Sequence, residues 1–252
     1  MKFVWNLHVL LLEIFLIISV RSSPRIHLPD EEFSSNFFNL ATEYFDILVF
    51  TQQWPNTACF AHQKKGGTSC NLPDHNRWTI HGLWPTEFNT KNPQFCKNGG
   101  TFEASALAPL ERELKAKWMT IDGRRTHQSF WSYQWKKHGS CSTSLKELDT
   151  PLKYFKKALE LNDIYNIQDI LRKANVVPGR SYSPQAIFNG VNKVLGRRSQ
   201  VACITNSEKR ESYLWEIRVC FDKSLNLVDC KGYATNCPPT RNVIYPDRPP
   251  TI

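Results

Sequence analysis

Trp78-Thr79-Ile80-His81-Gly82-Leu83-Trp84-Pro85 is the stretch on which the fold turns. Residues 78–83 are apolar enough for a buried strand, and Trp84-Pro85 closes it, because proline cannot donate to a ladder. His81 falls where that strand ends. Taken alone, such a histidine is as ordinary a structural group, bonded to backbone, as a functional one. Upstream, residues 44–54 are rich in Phe, Ile, Leu and Val and stop at Pro55, the pattern of a buried central strand. The loop between the two holds Lys64, Lys65, Gly66 and Gly67, and Cys59 and Cys70 could staple it.

Downstream, residues 103–118 place Leu107, Leu110, Leu114 and Trp118 three and four apart, which predicts an amphipathic helix. Two more helices are expected over about 152–161 and 163–174. Residues 212–221 alternate Tyr213, Trp215, Ile217 and Val219 on one face, the mark of a half-buried strand. Residues 237–252 contain five prolines and are expected to wrap the surface or stay mobile, a Pro-rich tail from about residue 238. Strands and separate helices together give an α+β class.

Lys2, the apolar run over 9–20 and the small residues Ser22 and Ser23 read as an export signal, residues 1–22. Glu13 interrupts the run, and no later stretch reaches the roughly 18 apolar residues of a membrane span. A single domain over 23–252 is expected, monomeric and free of the membrane once the signal is removed. All eight cysteines lie in that part, an even number in a chain exported to an oxidising compartment, so four disulfides are expected. No Cys-x-x-Cys pair exists and no two histidines stand three to five residues apart, so no metal or other cofactor is expected. Without the signal, Lys plus Arg outnumber Asp plus Glu by 30 to 22. That suits a polyanionic partner, although a basic surface often serves only solubility. The basic pairs Lys64–Lys65, Arg124–Arg125, Lys156–Lys157 and Arg197–Arg198 are scattered, and only Lys136–Lys137 gains meaning from its neighbours.

Those neighbours are Phe130-Trp131-Ser132-Tyr133-Gln134-Trp135-Lys136-Lys137-His138-Gly139, which predict a helix ending on a left-handed glycine cap. Trp131 and Trp135 share the stripe to be buried. Phe130, Gln134 and His138 form the next stripe, flanked by Tyr133 and Lys137. A lone histidine near a helix C-terminus is commonly a surface or capping group favoured by the macrodipole. Paired with His81, it suits RNA cleavage. One imidazole can take the 2′-hydroxyl proton while the other protonates the leaving 5′-oxygen. Lys137 would stabilise the phosphorane charge, and Trp84 and Phe130 offer faces for base stacking.

The stretch over 78–85 and Phe130-Trp131 through Lys137-His138-Gly139-Ser140-Cys141 resemble the two active-site blocks of the ribonuclease T2 family. The similarity runs from Phe45-Asp46-Ile47-Leu48-Val49-Phe50-Thr51-Gln52-Gln53-Trp54-Pro55 to Cys237, and Glu216-Ile217-Arg218-Val219-Cys220 resembles secreted animal members. This implies the ribonuclease T2 fold, a twisted antiparallel sheet flanked by helices. It implies bridges Cys59–Cys70, Cys96–Cys141, Cys203–Cys237 and Cys220–Cys230. It also implies cleavage of single-stranded RNA through a 2′,3′-cyclic phosphate with little base preference. By the same resemblance His81 and His138 are the catalytic pair, His138 as general base, and Lys137 stabilises the transition state. Trp84 and Gln53 would line the two base sites, with Phe130 beside the second.

Two positions depart from the family's pattern: Tyr133 and Gln134 stand where it has histidine and glutamate. Tyrosine donates a hydrogen bond to phosphate but carries no positive charge, so substrate grip should weaken more than proton transfer. Gln134 keeps the size and an acceptor of the glutamate. Its neutrality eases His138 toward the neutral form of a base while removing a partner that orients Lys137. The expectation is a secreted endoribonuclease of reduced rate, with delivery to a lysosome or other acidic compartment as the alternative destination. The alternative function is an RNA-binding or signalling relative that has lost catalysis. A structural module with no nucleic-acid role would leave the paired histidines and their aromatic neighbours to coincidence.

Overall fold

The computed structural model describes residues 44–89, 92–232 and 234–252, so the expected export signal lies outside the described residues. In chain order the elements are β1 (Ile47–Gln53), α1 (Pro55–Lys64), β2 (Thr79–Thr86), α2 (Glu111–Lys117), α3 (His127–Lys137), α4 (Pro151–Ile164), α5 (Ile167–Lys173), β3 (Arg180–Tyr182), α6 (Pro184–Leu195), β4 (Gln200–Asn206), β5 (Glu211–Phe221), β6 (Leu227–Val228) and β7 (Val243–Tyr245). Helix starts follow local chemistry. Thr126, Thr150, Asn166 and Ser183 each accept a backbone N–H of the first turn of α3, α4, α5 and α6, and Pro151 and Pro184 occupy the first helical position.

The strands form one sheet in the order β2-β1-β5-β7-β3, with β4 and β6 also paired to β5. β1 is buried along its whole length because β2 and β5 flank it antiparallel on either side. The sheet is antiparallel except where Tyr213 of β5 meets Ile244 of β7 in parallel, so the α+β class holds with a mixed sheet. One large core lies between this sheet and the helices, built on Trp54, Trp118, Trp131, Trp135, Tyr154 and Phe155. The buried indoles find backbone acceptors, Trp131 on Trp118 at 2.7 Å and Trp135 on Gly99 at 3.1 Å. Loss of such a ring to alanine typically costs about 3–5 kcal/mol. Four disulfides join Cys59 to Cys70, Cys96 to Cys141, Cys203 to Cys237 and Cys220 to Cys230, the pairing the resemblance implies.

Several local expectations are corrected. β2 does not close at Trp84-Pro85 but runs to Thr86, which proline permits because β2 lies at the sheet edge. Pro55 ends β1 by starting α1 at its first position, so the first half of the supposed loop is helical. Residues 103–118 divide into a 3-10 segment, Ala104–Leu110, and α2, with Pro109 denying the first part an α-helical hydrogen bond. Val243 and Tyr245, read as part of a surface tail, are instead buried core residues on β7, and Trp54 Nε1 donates to the Pro246 carbonyl at 2.7 Å. Gly139 is not a left-handed cap: it opens a 3-10 turn, and a Cβ there would meet the Trp135 ring at 2.4 Å. Close packing, not chain reversal, requires that glycine.

Candidate active site

The site begins with two β-bulges. Across β1 and β2, Thr51 pairs with Gly82 and Gln52 with Ile80, so His81 is the extra, unpaired residue. A bulge re-aims the side chain it carries, and here it brings the His81 ring to 5.1 Å from Trp84, three residues on. Across β4 and β5, Cys203 pairs with Leu214 and Ala202 with Glu216, which leaves Trp215 extra. That corrects the simple alternation expected over 212–221. Leu214, Ile217, Val219 and Phe221 face the core, while Glu216 and Arg218 face His81 and Trp84.

Glu216 is fully buried and accepts from His81 Nδ1 at 2.6 Å and from Arg218 Nη2 at 2.7 Å. Burial raises its carboxyl, but the charges and hydrogen bonds of His81 and Arg218 prevail and hold it below the usual carboxylate range. An ionised Glu216 fixes the proton on Nδ1 and turns His81 Nε2 toward the cleft. Sequence reading missed this role for Glu216. The available signal was an acidic residue inside the apolar run Tyr213-Leu214-Trp215-Glu216-Ile217, since a buried charge requires a partner.

His138 enters from the other side, at the C-terminal end of α3, where its backbone N–H still donates to Gln134. Its ring lies 5.5 Å from Trp84, so both imidazoles border one indole. Desolvation, then the neighbouring Lys137 and His81 charges, push His138 down to about 3. Gln134 is buried with no partner for Oε1, and that oxygen sits where a Cβ on Gly82 would be, as does Trp84 Nε1, likewise unpartnered. Only glycine at 82 lets the β2 backbone approach these two side chains. Trp131 and Trp135 are buried as the helical stripe predicted. Tyr133, by contrast, is 40% exposed, with the Lys137 ammonium 5.4 Å above its ring.

Two cavities border the site, one lined by Trp84 and the other by His81. One, of about 530 Å³, is lined by Ile47, Val49, Trp84, Phe88 and Arg218 among others. The second, of about 430 Å³, is lined on one side by Gln53, His81, Phe130 and Trp215. Trp84 and Gln53 therefore line separate cavities and Phe130 stands beside Gln53, whereas Tyr133 lines neither.

A disulfide-stapled α+β protein with two histidines at an indole and a cavity on each side defines the class. The family model for the ribonuclease T2 family matches residues 45–230. The chain belongs to that family. It is 33% identical to ribonuclease Oy of Magallana gigas over 210 residues, covering 80% of this chain and 96% of that one. With ribonuclease T2 protein rnst-2 of Caenorhabditis elegans it shares 31% over 194 residues, 75% of this chain and 68% of the other. The structure superposes on a mutant of RNase MC1, crystallised with 5′-GMP, with a TM-score of 0.70 at 34% identity, covering 80% of this chain and all of that one. Fold and relatives support a T2-type endoribonuclease with RNA as substrate. Among the described residues no helix is long and apolar enough to cross a membrane.

Proposed function

We propose that the protein is an exported, monomeric endoribonuclease that cleaves single-stranded RNA by metal-independent transphosphorylation, leaving a 2′,3′-cyclic phosphate. The observation that carries this reading is the pair of imidazoles at Trp84 in unlike surroundings. His138, held neutral, takes the proton of the 2′-hydroxyl as its oxygen attacks phosphorus. The bond from phosphorus to the 5′-oxygen breaks, and His81 Nε2 delivers its proton to that oxygen while Glu216 accepts from Nδ1 and stabilises the imidazolium. Lys137 meets the charge gathering on the non-bridging oxygens. The base upstream of the cut stacks in the Trp84 cavity, and the leaving nucleoside occupies the cavity of Gln53 and Phe130 on the His81 side. Four disulfides suit an exported chain.

The rate is proposed to be below that of a chain with histidine and glutamate at 133 and 134. Tyr133 supplies no charge, and Gln134 leaves Lys137 without a carboxylate on its own helix face. The same two positions favour a second reading, an RNA-binding relative without catalysis. Purified protein incubated with single-stranded RNA between pH 4 and 8 separates the two. Cyclic-phosphate ends that vanish in His81→Ala and His138→Ala support the enzyme. RNA retained intact by the wild type supports the binder.

A further inference from the structure

Beyond Gln53, His81 and Phe130, the second cavity has a far wall unused by the chemistry above: His62, Lys65, Asp122 and Arg125. Lys65 and Arg125 belong to basic pairs that lie sixty residues apart and look unrelated in the sequence. The fold joins them. α1 carries His62 and leads into Lys65, the Cys59–Cys70 disulfide ties down the following loop, and Cys70 forms a β-bridge with Asp122. Gly67 lies against the His62 ring, where a Cβ would meet Nε2 at 2.1 Å, so the loop can close only with glycine there.

Asp122 organises this wall and does not cancel it. It draws His62 Nε2 to 3.6 Å and Arg125 Nε to 3.5 Å. The backbone N–H of Arg124, with the Arg124 side chain and the His62 charge, outweighs the burial that opposes it and holds its carboxyl below the usual range. The cavity lining thus carries one carboxylate, Asp122, against the Lys65 ammonium and the Arg125 guanidinium, and keeps a net positive charge. Arg125 remains 59% exposed despite its tether, and Lys65 is exposed. A tethered guanidinium and an ammonium lining one cavity are a donor set that phosphate oxygens take.

Resting on the ribonuclease reading above, we infer that Lys65 and Arg125, with His62 at their base, form a subsite for the phosphate one nucleotide downstream of the cut. The polarity of the site leads there. His81 serves the leaving 5′-oxygen, the leaving nucleoside fills the cavity beyond it, and the 3′-phosphate of that nucleoside reaches the far wall. The ligand class is an RNA of at least two nucleosides bearing a phosphate after the second. A dinucleoside monophosphate lacks the group these cations bind.

The experiment compares kcat/KM for UpU and for UpU carrying a 3′-phosphate, at low and physiological salt. The expected result is a gain of about tenfold from the extra phosphate at low salt, a gain that salt erodes. Lys65→Ala with Arg125→Ala should abolish the gain and leave UpU cleavage unchanged. Both side chains are exposed, so the fold is retained. Lys156→Ala with Lys157→Ala, equal in charge but on α4, should leave the gain intact. With His138→Ala protein and an uncleaved oligouridylate, the Lys65/Arg125 double variant should lower the slope of log Kd against log salt by about 0.7 per lost phosphate contact. Equal rates on the two substrates in the wild type would overturn the subsite. So would a gain that survives in the Lys65/Arg125 variant, or one that falls equally in the α4 control and so reflects overall charge. Failure to cleave UpU or its phosphorylated form at all, with the oligouridylate still bound, would instead count against the catalytic reading.

Discussion

His81 and His138 are the same side chain in opposite surroundings. His81 rises from a strand bulge and rests on a fully buried carboxylate that Arg218 pins in place. His138 ends a helix whose preceding turn presents a neutral amide, and it is desolvated beside a lysine. The first setting orients the ring through its Nδ1 hydrogen bond to Glu216, while the second disfavours the imidazolium through burial and the neighbouring Lys137 charge. On the reading proposed above, these surroundings make His81 the acid and His138 the base.

Removing either imidazole is the crudest way to break the comparison and has the largest expected effect. His81→Ala and His138→Ala should each lower kcat by about 10²–10⁴-fold, measured as cyclic-phosphate release from single-stranded RNA. Glu216→Gln attacks one side only. It keeps the size of Glu216 and an acceptor for His81 Nδ1 but loses the charge. It should reduce kcat by about 10–100-fold with KM nearly unchanged. A change in KM alone would mark Glu216 as a purely structural residue.

Gln134→Glu sharpens the contrast from the other side by giving His138 the carboxylate it lacks. An opposite charge at that range raises an imidazole by about 1–3 pH units, so the acid limb of kcat/KM should move up by that amount. In the wild type, with burial and the Lys137 charge pushing His138 down to about 3, activity should persist well below pH 6. Adding Tyr133→His to Gln134→Glu should raise kcat at neutral pH, measured on single-stranded RNA. The smallest effect is on stability. His138 has a depressed pKa in the fold, so the unfolded chain binds the extra proton as pH falls from its ordinary range toward 3, and stability drops across that window. His138→Gln should lessen the loss of Tm between pH 7 and 4 by roughly 7–14 °C.

Much of this was legible in the sequence, and what was not has a common cause. The two blocks around His81 and His138, the buried Trp131–Trp135 stripe and the four disulfides all follow from local pattern or resemblance. Glu216 has no readable task in the sequence, because a half-buried strand turns the face opposite Ile217 and Val219 to solvent, whereas here that face lines the cleft; the bulge at Trp215 adds that Leu214, not Trp215, faces the core. The bulge at His81 was equally invisible, since it exists only as a register between two strands. Pro109, which splits residues 103–118 into two segments, and Pro55, which starts α1, are signals the sequence itself carries. The joining of Lys65 to Arg125 depends on a disulfide and a bridge that no spacing in the sequence reports.

The division of labour is tested most directly by a substrate whose leaving 5′-oxygen is replaced by sulfur, a leaving group that needs no proton. His81→Ala should cleave that phosphorothiolate at close to the wild-type rate, while His138→Ala stays inactive on it. Rescue of His138→Ala with continued failure of His81→Ala would reverse the two roles and contradict the assignment.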